Sequence, residues 1–238
     1  MPADHPSDLF RNIGRAVLLG IVLYALALVF PESLFRQKLV HGQFTVYAHQ
    51  PIPAAMEKIL DDALYRLQQS EIYDPTVNFK IFLTSSPTEF AFFVPLGRNV
   101  NGSTYGISDS TFVNQSDMAA DTVSAPGADN RPLHWLMAHE STHVLLHRRY
   151  GFFTNFSEPS WKTEGYCEFV ANEPAYSGPE GLAKLQQAGP DPRPALFYFQ
   201  SFLRVKFLRE RKHVPLNDIM HQRFDEAALD DALRQPAQ

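Results

Sequence analysis

This chain of 238 residues contains a single cysteine, Cys167. One cysteine excludes an internal disulfide and excludes a cysteine-rich metal site. The sequence therefore predicts that any metal ligands come from His, Asp and Glu, and Cys167 itself is interpreted as a small buried apolar residue.

The chain also lacks an excess of positive charge. Its formal net charge is −5, and basic residues are interspersed with acidic ones. Nucleic-acid-binding proteins neutralise phosphates with a basic stripe, so no nucleic-acid partner is expected. The sequence contains no internal repeat and no low-complexity tract, and 45% of its residues are hydrophobic. Such a chain can bury a sizeable core as one domain with appendages.

Long apolar runs are limited to one, at residues 16–30. The run is preceded by Arg11 and Arg15 and followed by Pro31. A spanning helix needs about 20 residues, and residues 13–15 extend the run toward that length. A cleaved signal peptide is the alternative, but the segment after the run has no small-x-small cleavage site. The sequence therefore predicts an uncleaved membrane anchor.

The anchor is assigned to residues 1–35 and a single folded domain to residues 36–238. The arginines before the run favour an N-terminus inside, which would put the domain on the extracytoplasmic side, either periplasmic or extracellular.

Hydrophobic periodicity predicts an α+β domain. A strand at 44–49, a helix at 53–70 and a strand at 77–84 are followed by a short helix ending near Pro95 and by strands with a turn near Asp109 within 103–115. The remainder is predicted to be mainly helical, with a helix capped by Asn130 and ending at Gly151, a helix from Ser160, a long helix at 194–212 and a helical tail.

The stretch AHESTHVLLH, residues 138–147, places two histidines on one helical face. His139 and His143 are four residues apart, so both imidazoles can reach one metal ion. Glu140 can then reach a water at that metal and take its proton. The pattern arises by chance in roughly 2% of chains of this composition, so the motif needs support from elsewhere.

That support is the segment WKTEGYCE, residues 161–168. A catalytic zinc typically takes three protein ligands, so two histidines are one too few. Glu164 follows His143 by twenty-one residues, and Glu168 lies four residues further on the same helical face. One of these carboxylates could ligate and the other could support the site.

The two segments together resemble the gluzincin metallopeptidases, the class that includes thermolysin-like enzymes, over residues 130–172. The resemblance implies a zincin-like fold, in which a small mixed sheet packs on the HExxH helix and an edge strand within 103–115 pairs with extended peptide. It also implies one Zn²⁺, with His139, His143 and Glu164 as ligands and Glu140 as general base. Glu168 would accept a hydrogen bond that orients a ligating histidine. Tyr198 is the first candidate for the donor to the oxyanion, and Tyr176 and His213 are the next candidates.

Some expected features are missing. Aminopeptidases of the class carry a G-x-M-E-N stretch, which residues 85–130 do not contain, so an endopeptidase is expected. The metzincin pattern would need glycine at 146 and histidine at 149, where the chain has Leu146 and Arg149. His147 and His134 are therefore not expected to be ligands.

The sequence thus predicts a membrane-anchored zinc metallopeptidase that cleaves peptide or protein substrates. Two alternatives stay open. One is a catalytically inactive gluzincin-like domain that acts as an anchored binding or scaffolding module. The other is a zinc hydrolase that acts on a non-peptide bond.

Overall fold

The computed structural model describes residues 6–97, 99–106, 108–151, 159–187 and 194–234, with side chains from residue 10 onward. Residues 1–5 of the predicted anchor and residues 235–238 of the predicted domain lie outside the described residues. In chain order the helices are α1 Pro6–Val29, a 3-10 turn Pro31–Leu34, α2 Ala55–Leu67, α3 Pro87–Phe93, α4 Leu133–Tyr150, α5 Ser160–Ala171, α6 Gly178–Gln187, α7 Pro194–Lys206 with a π turn Phe207–Arg211, α8 Leu216–His221 and α9 Glu226–Arg234.

Two small sheets precede the helical half of the chain. The strands are β1 Gln37–His41, β2 Phe44–Ala48, β3 Phe79–Leu83, β4 Gly102–Tyr105, β5 Ser110–Val113, β6 Gln115–Asp117, β7 Thr122–Ser124 and β8 Arg131–Pro132. The first sheet has the order β1-β2-β3-β5-β4, with β2, β3 and β5 parallel and the outer strands antiparallel to their neighbours. β4 is therefore an edge strand, and β6-β7-β8 form a separate antiparallel sheet.

Both faces of the first sheet are covered. Side chains alternate along a strand, so Phe79 and Ile81 of β3 point to one face and Phe82 to the other. The first pair joins the main core formed with α2, α4 and α5, whereas Phe82 stacks on Phe112 in a second, aromatic cluster with α3. The sheet thus holds α4 on one face and α3 on the other.

Helix α1 lies mostly outside both cores. The stretch Phe10–Val29 has a mean hydropathy of 2.0 and no buried residue, so the helix is long and apolar enough to cross a membrane, although a signal sequence would have the same character. Its C-terminal part touches the domain through Leu28, which packs against the aromatic cluster.

The predicted α+β class, small mixed sheet and apolar N-terminal helix are confirmed. The pattern did not predict β1, the β6-β7-β8 sheet or α6. Asn130 was wrongly predicted to cap α4. The cap comes from Asp121 instead, whose carboxylate accepts a hydrogen bond from the backbone N–H of His134, while β8 occupies the residues before the helix.

Candidate metal centre

Helix α4 is buried on every side and still carries polar residues. His139, Glu140 and His143 are 4%, 6% and 6% exposed, and the neighbouring Ser141 and Thr142 are fully buried. Buried polar groups need partners. Thr142 donates to the carbonyl of Ala138 within the helix, so the partners of the two histidines and of Glu140 have to come from other elements.

Glu164 on α5 lies between the two histidines. Its Oε2 is 3.2 Å from Nε2 of His139 and 3.5 Å from Nε2 of His143. Donor atoms bound tetrahedrally to zinc at about 2.0–2.1 Å stand about 3.3 Å from one another. Both distances from Glu164 are close to that value, and the chemistry of the donor set, two imidazoles and one carboxylate, suits zinc.

The position of α5 depends on close packing against α7. A Cβ atom on Gly165 would lie 2.4 Å from the backbone oxygen of Ser201, so only glycine allows this approach. The neighbour that requires a glycine at this position is therefore the α7 backbone. The contact fixes the turn of α5 that carries Glu164.

Charge on Glu164 and on His143 is mutually stabilised. Burial alone raises the pKa of the Glu164 carboxyl, but the imidazoles of His143 and His139 outweigh burial and lower that pKa. Burial alone lowers the pKa of His143, but Cys167 and Glu164 outweigh it and raise that pKa well above its ordinary value. The negative charge of Glu164 therefore favours a cation at this position.

Glu168 lies behind His139, on the opposite side from Glu164. Its Oε1 is 3.6 Å from Nδ1 of His139, and its Oε2 is 3.9 Å from Arg131. The carboxylate is fully buried, both of its oxygens lack a hydrogen-bond partner among the described residues, and burial raises its pKa. Nδ1 of His139 is equally unsatisfied. At 3.6 Å, Oε1 of Glu168 and Nδ1 of His139 are slightly too far apart for a hydrogen bond. A small movement of either side chain would form the hydrogen bond that fixes the tautomer of a ligating histidine.

Cys167 belongs to the same cluster. One donor atom from each of His139, His143 and Cys167 lies within 4.8 Å of the other two, and all three side chains are buried. This group could hold a metal ion, so the interpretation of Cys167 as a merely apolar residue was incomplete. The available signal was its spacing: Cys167 follows Glu164 by three residues, which places both on one helical face. Burial raises the pKa of its thiol to about 12.

Glu140 faces the edge strand β4. Its Oε2 accepts a 2.8 Å hydrogen bond from the hydroxyl of Thr104. A Cβ on Gly102 would lie 3.1 Å from Oε1 of Glu140, so glycine lets β4 approach the carboxylate closely. Sequence reasoning missed both β4 residues, because only the folded sheet brings the strand against α4.

Tyr198 of α7 lies beside the centre. Its ring centroid is 6.0 Å from that of His139. The charge of Glu164, then burial, then the charge of Glu140 raise the pKa of its phenol well above 10, so it stays protonated at neutral pH. Of the two other candidates, Tyr176 packs edge-on against Phe199, and His213 is exposed in the α7–α8 connection.

The two remaining histidines near α4 have other neighbours. His134 hydrogen bonds with Asp121 and lies 3.2 Å from Glu173, at the start of the helix. The ring of His147 stacks on that of His143 at 6.4 Å.

No protein-family model matches this chain, and a search of curated proteins returned no significant relative.

Proposed function

We propose that the chain is a membrane-anchored zinc-dependent metallopeptidase, acting as an endopeptidase. The observation that carries the proposal is the placement of Glu164, whose Oε2 lies 3.2 and 3.5 Å from the Nε2 atoms of His139 and His143. Three such ligands leave one position open for water or substrate, which is typical of catalytic zinc and not of structural zinc. Zinc in such a site supplies Lewis-acid chemistry, polarising a carbonyl group and easing deprotonation of a water molecule.

Glu140 supplies the proton transfers. As general base its carboxylate takes a proton from the attacking water, and it then returns that proton to the nitrogen of the leaving amine. The hydroxyl of Thr104 donates to Oε2 of Glu140 and so restrains the orientation of the carboxylate. We propose that the phenol of Tyr198, whose ring centroid lies 6.0 Å from that of His139, donates a hydrogen bond to the developing oxyanion.

The edge strand β4 favours an extended peptide as substrate. Within the part of the chain that the structure describes, it pairs with β5 alone, and its residues are half-buried. An edge strand presents backbone donors and acceptors that an extended peptide can use as an additional strand. Because Thr104 and Gly102 of this strand contact Glu140, a peptide paired to β4 would pass the general base. With α1 as anchor, the domain is proposed to work on the extracytoplasmic side.

The test is cleavage of a peptide mixture by the full chain in detergent with zinc, followed by mass spectrometry. Glu140→Gln keeps the shape of the side chain and can still accept from Thr104, so zinc content should stay unchanged while cleavage falls at least about a hundredfold. Glu173→Gln is the control, because that carboxylate pairs with Arg66 and His134 and not with the residues of the metal centre. Full activity in Glu140→Gln would refute the proposal.

One observation favours a second candidate, a non-catalytic module stabilised by metal. If the thiolate of Cys167 joined His139, His143 and Glu164, four protein ligands would close the coordination sphere, as in structural zinc sites. The domain would then serve as an anchored binding or scaffolding module. Zinc in wild type, together with no cleavage of any peptide and a cysteine-metal bond, would support this candidate.

A further inference from the structure

Exposed apolar side chains continue beyond the end of α1. Phe30 follows the helix directly and is 61% exposed, and Leu34, at the end of the 3-10 turn, is 45% exposed. Phe92 at the end of α3 is 44% exposed, and Leu96 in the next loop is 102% exposed. We call these four residues the collar. Isolated exposed apolar residues are ordinary, but a group of them next to one another marks an interaction surface.

The collar lies at the C-terminal end of α1, because α3 is held against that helix. The hydroxyl of Tyr24 donates a 2.7 Å hydrogen bond to the carbonyl of Phe92, and the two rings meet edge to face at 5.1 Å. Tyr24 lies five residues before the end of α1, which is about 8 Å along the helix axis. The C-terminal end of α3 therefore lies beside the last turns of the apolar helix.

We propose that the collar rests on the lipid bilayer that α1 enters. The collar is continuous with the helix that is apolar enough to cross a membrane. Interfacial segments insert apolar side chains about 5–10 Å below the headgroups, which matches the depth difference between Tyr24 and the end of α1. Tyrosine is also enriched at the membrane–water interface, where its ring and hydroxyl can each find a suitable neighbour.

This placement brings the candidate active site close to the bilayer. Phe93, the residue after Phe92, accepts a hydrogen bond from the hydroxyl of Tyr105 in β4. Thr104, the residue before Tyr105, donates to Glu140. Three hydrogen bonds and two peptide bonds thus connect Tyr24 to the general base.

The substrate class follows from that path. A peptide paired to β4 would then lie near the membrane surface. The expected substrate is therefore a segment such as the juxtamembrane stretch of a membrane protein. This substrate inference rests on the proposed peptidase function, whereas the contact between collar and bilayer does not.

The contact can be measured with the full chain in liposomes that contain brominated lipids, which quench tryptophan near the acyl chains. The native tryptophans, Trp135 and Trp161, are buried. Leu96→Trp adds one at the collar, and Tyr65→Trp adds a control on α2, where Tyr65 is 67% exposed. We expect the added fluorescence at position 96 to fall about twofold and that at position 65 to stay unchanged. Equal quenching, or none at either position, would overturn the proposal.

If quenching is absent and the protein instead forms a dimer that Leu96→Asp separates, the collar is an interface between two copies and the bilayer contact is refuted.

Cleavage in the same liposomes tests the substrate class. A peptide mixture is supplied with and without an N-terminal palmitoyl group that tethers it to the bilayer. We expect faster cleavage of the tethered mixture, and Leu96→Asp should lower cleavage of the tethered mixture alone. Equal cleavage of both mixtures would refute the juxtamembrane assignment. No cleavage of either mixture by zinc-loaded protein would refute the peptidase function and leave the quenching result in force.

Discussion

The Arg204 cluster and the metal-centre cluster both bury charged side chains, yet they differ in hydrogen bonding. The guanidinium of Arg204 donates to Asp230 through Nε and Nη2, each at 2.8 Å, and to Glu226 through Nη1 at 2.6 Å. In the metal-centre cluster, Nδ1 of His139, Nδ1 of His143 and both oxygens of Glu168 have no hydrogen-bond partner among the described residues.

We interpret this difference as one between a cluster that only stabilises the fold and a cluster that binds a cation, as the proposed function requires. Unsatisfied buried polar groups cost stability, so a cluster that only holds the fold together pairs its atoms, as Arg204 does. In the metal-centre cluster, the imidazoles of His139 and His143 lie close to the carboxylate of Glu164. Glu168 lies near His139 but forms no hydrogen bond with it. Such an arrangement gains its full stabilisation only when a cation is shared by the ligands.

The largest expected effect is stabilisation by zinc. Zinc at about a thousand times its dissociation constant should raise the free energy of unfolding by about 4 kcal/mol, because the metal binds the folded centre. The measurement is urea unfolding of the full chain in detergent, with zinc or with a chelator. Glu164→Gln should lose the zinc effect, and Arg204→Met should keep it. Equal zinc effects in wild type and Glu164→Gln would contradict the comparison.

Asp230→Asn should act on stability alone. It removes the charge that pairs with Arg204, and we expect a loss of about 2 kcal/mol in the free energy of unfolding. Zinc content should remain at the wild-type value because Asp230 belongs to the other cluster. A variant that lost zinc while remaining folded would show that the two clusters are coupled.

The Arg204 cluster should also sense acid. Burial alone raises the pKa of Asp230, but the hydrogen bond and charge of Arg204 outweigh it and lower that pKa below 3.8. A carboxyl whose pKa is lower in the folded state stabilises the fold above its unfolded pKa, and the stabilisation disappears as pH falls through the folded pKa. With chelator present, wild type should therefore lose more stability below about pH 4 than Asp230→Asn does. Parallel acid curves would rule out this contribution.

The smallest expected effect is that of Cys167→Ser. With three ligands from His139, His143 and Glu164, the thiol is not needed, so metal content should not change. Cobalt(II) substituted for zinc gives an absorption band in the near ultraviolet when a cysteine thiolate binds it. We expect no such band in wild type. A band that disappears in Cys167→Ser would establish the closed site of the second candidate function.

The sequence predicted elements whose signal is local, and it failed where the signal is tertiary. The periodicity of α2, the Ser86 cap of α3 and the two glutamates of α5 can all be recognised within a few residues. The cap of α4 could not be recognised, because Asp121 reaches that helix from a turn that only the β6-β7-β8 sheet brings close.

The same distinction holds at the centre. The spacing of His139, His143 and Glu164 made their convergence predictable from the helical repeat and the family resemblance. The contacts of Gly102 and Thr104 with Glu140 depend on an edge strand crossing the helix, and no sequence pattern encodes that crossing. The short strands β6, β7 and β8 have three, three and two residues, too few for an alternating pattern to show.

The three-ligand centre is tested most simply by measuring the zinc content of the purified full chain beside that of His143→Ala and Glu164→Ala. The control is His147→Ala, which removes an imidazole one turn further along α4. We expect one zinc per chain in wild type and in His147→Ala, and none in the other two variants. A wild-type chain that binds no zinc when supplied with it, or a Glu164→Ala variant that keeps its zinc, would contradict the three-ligand centre.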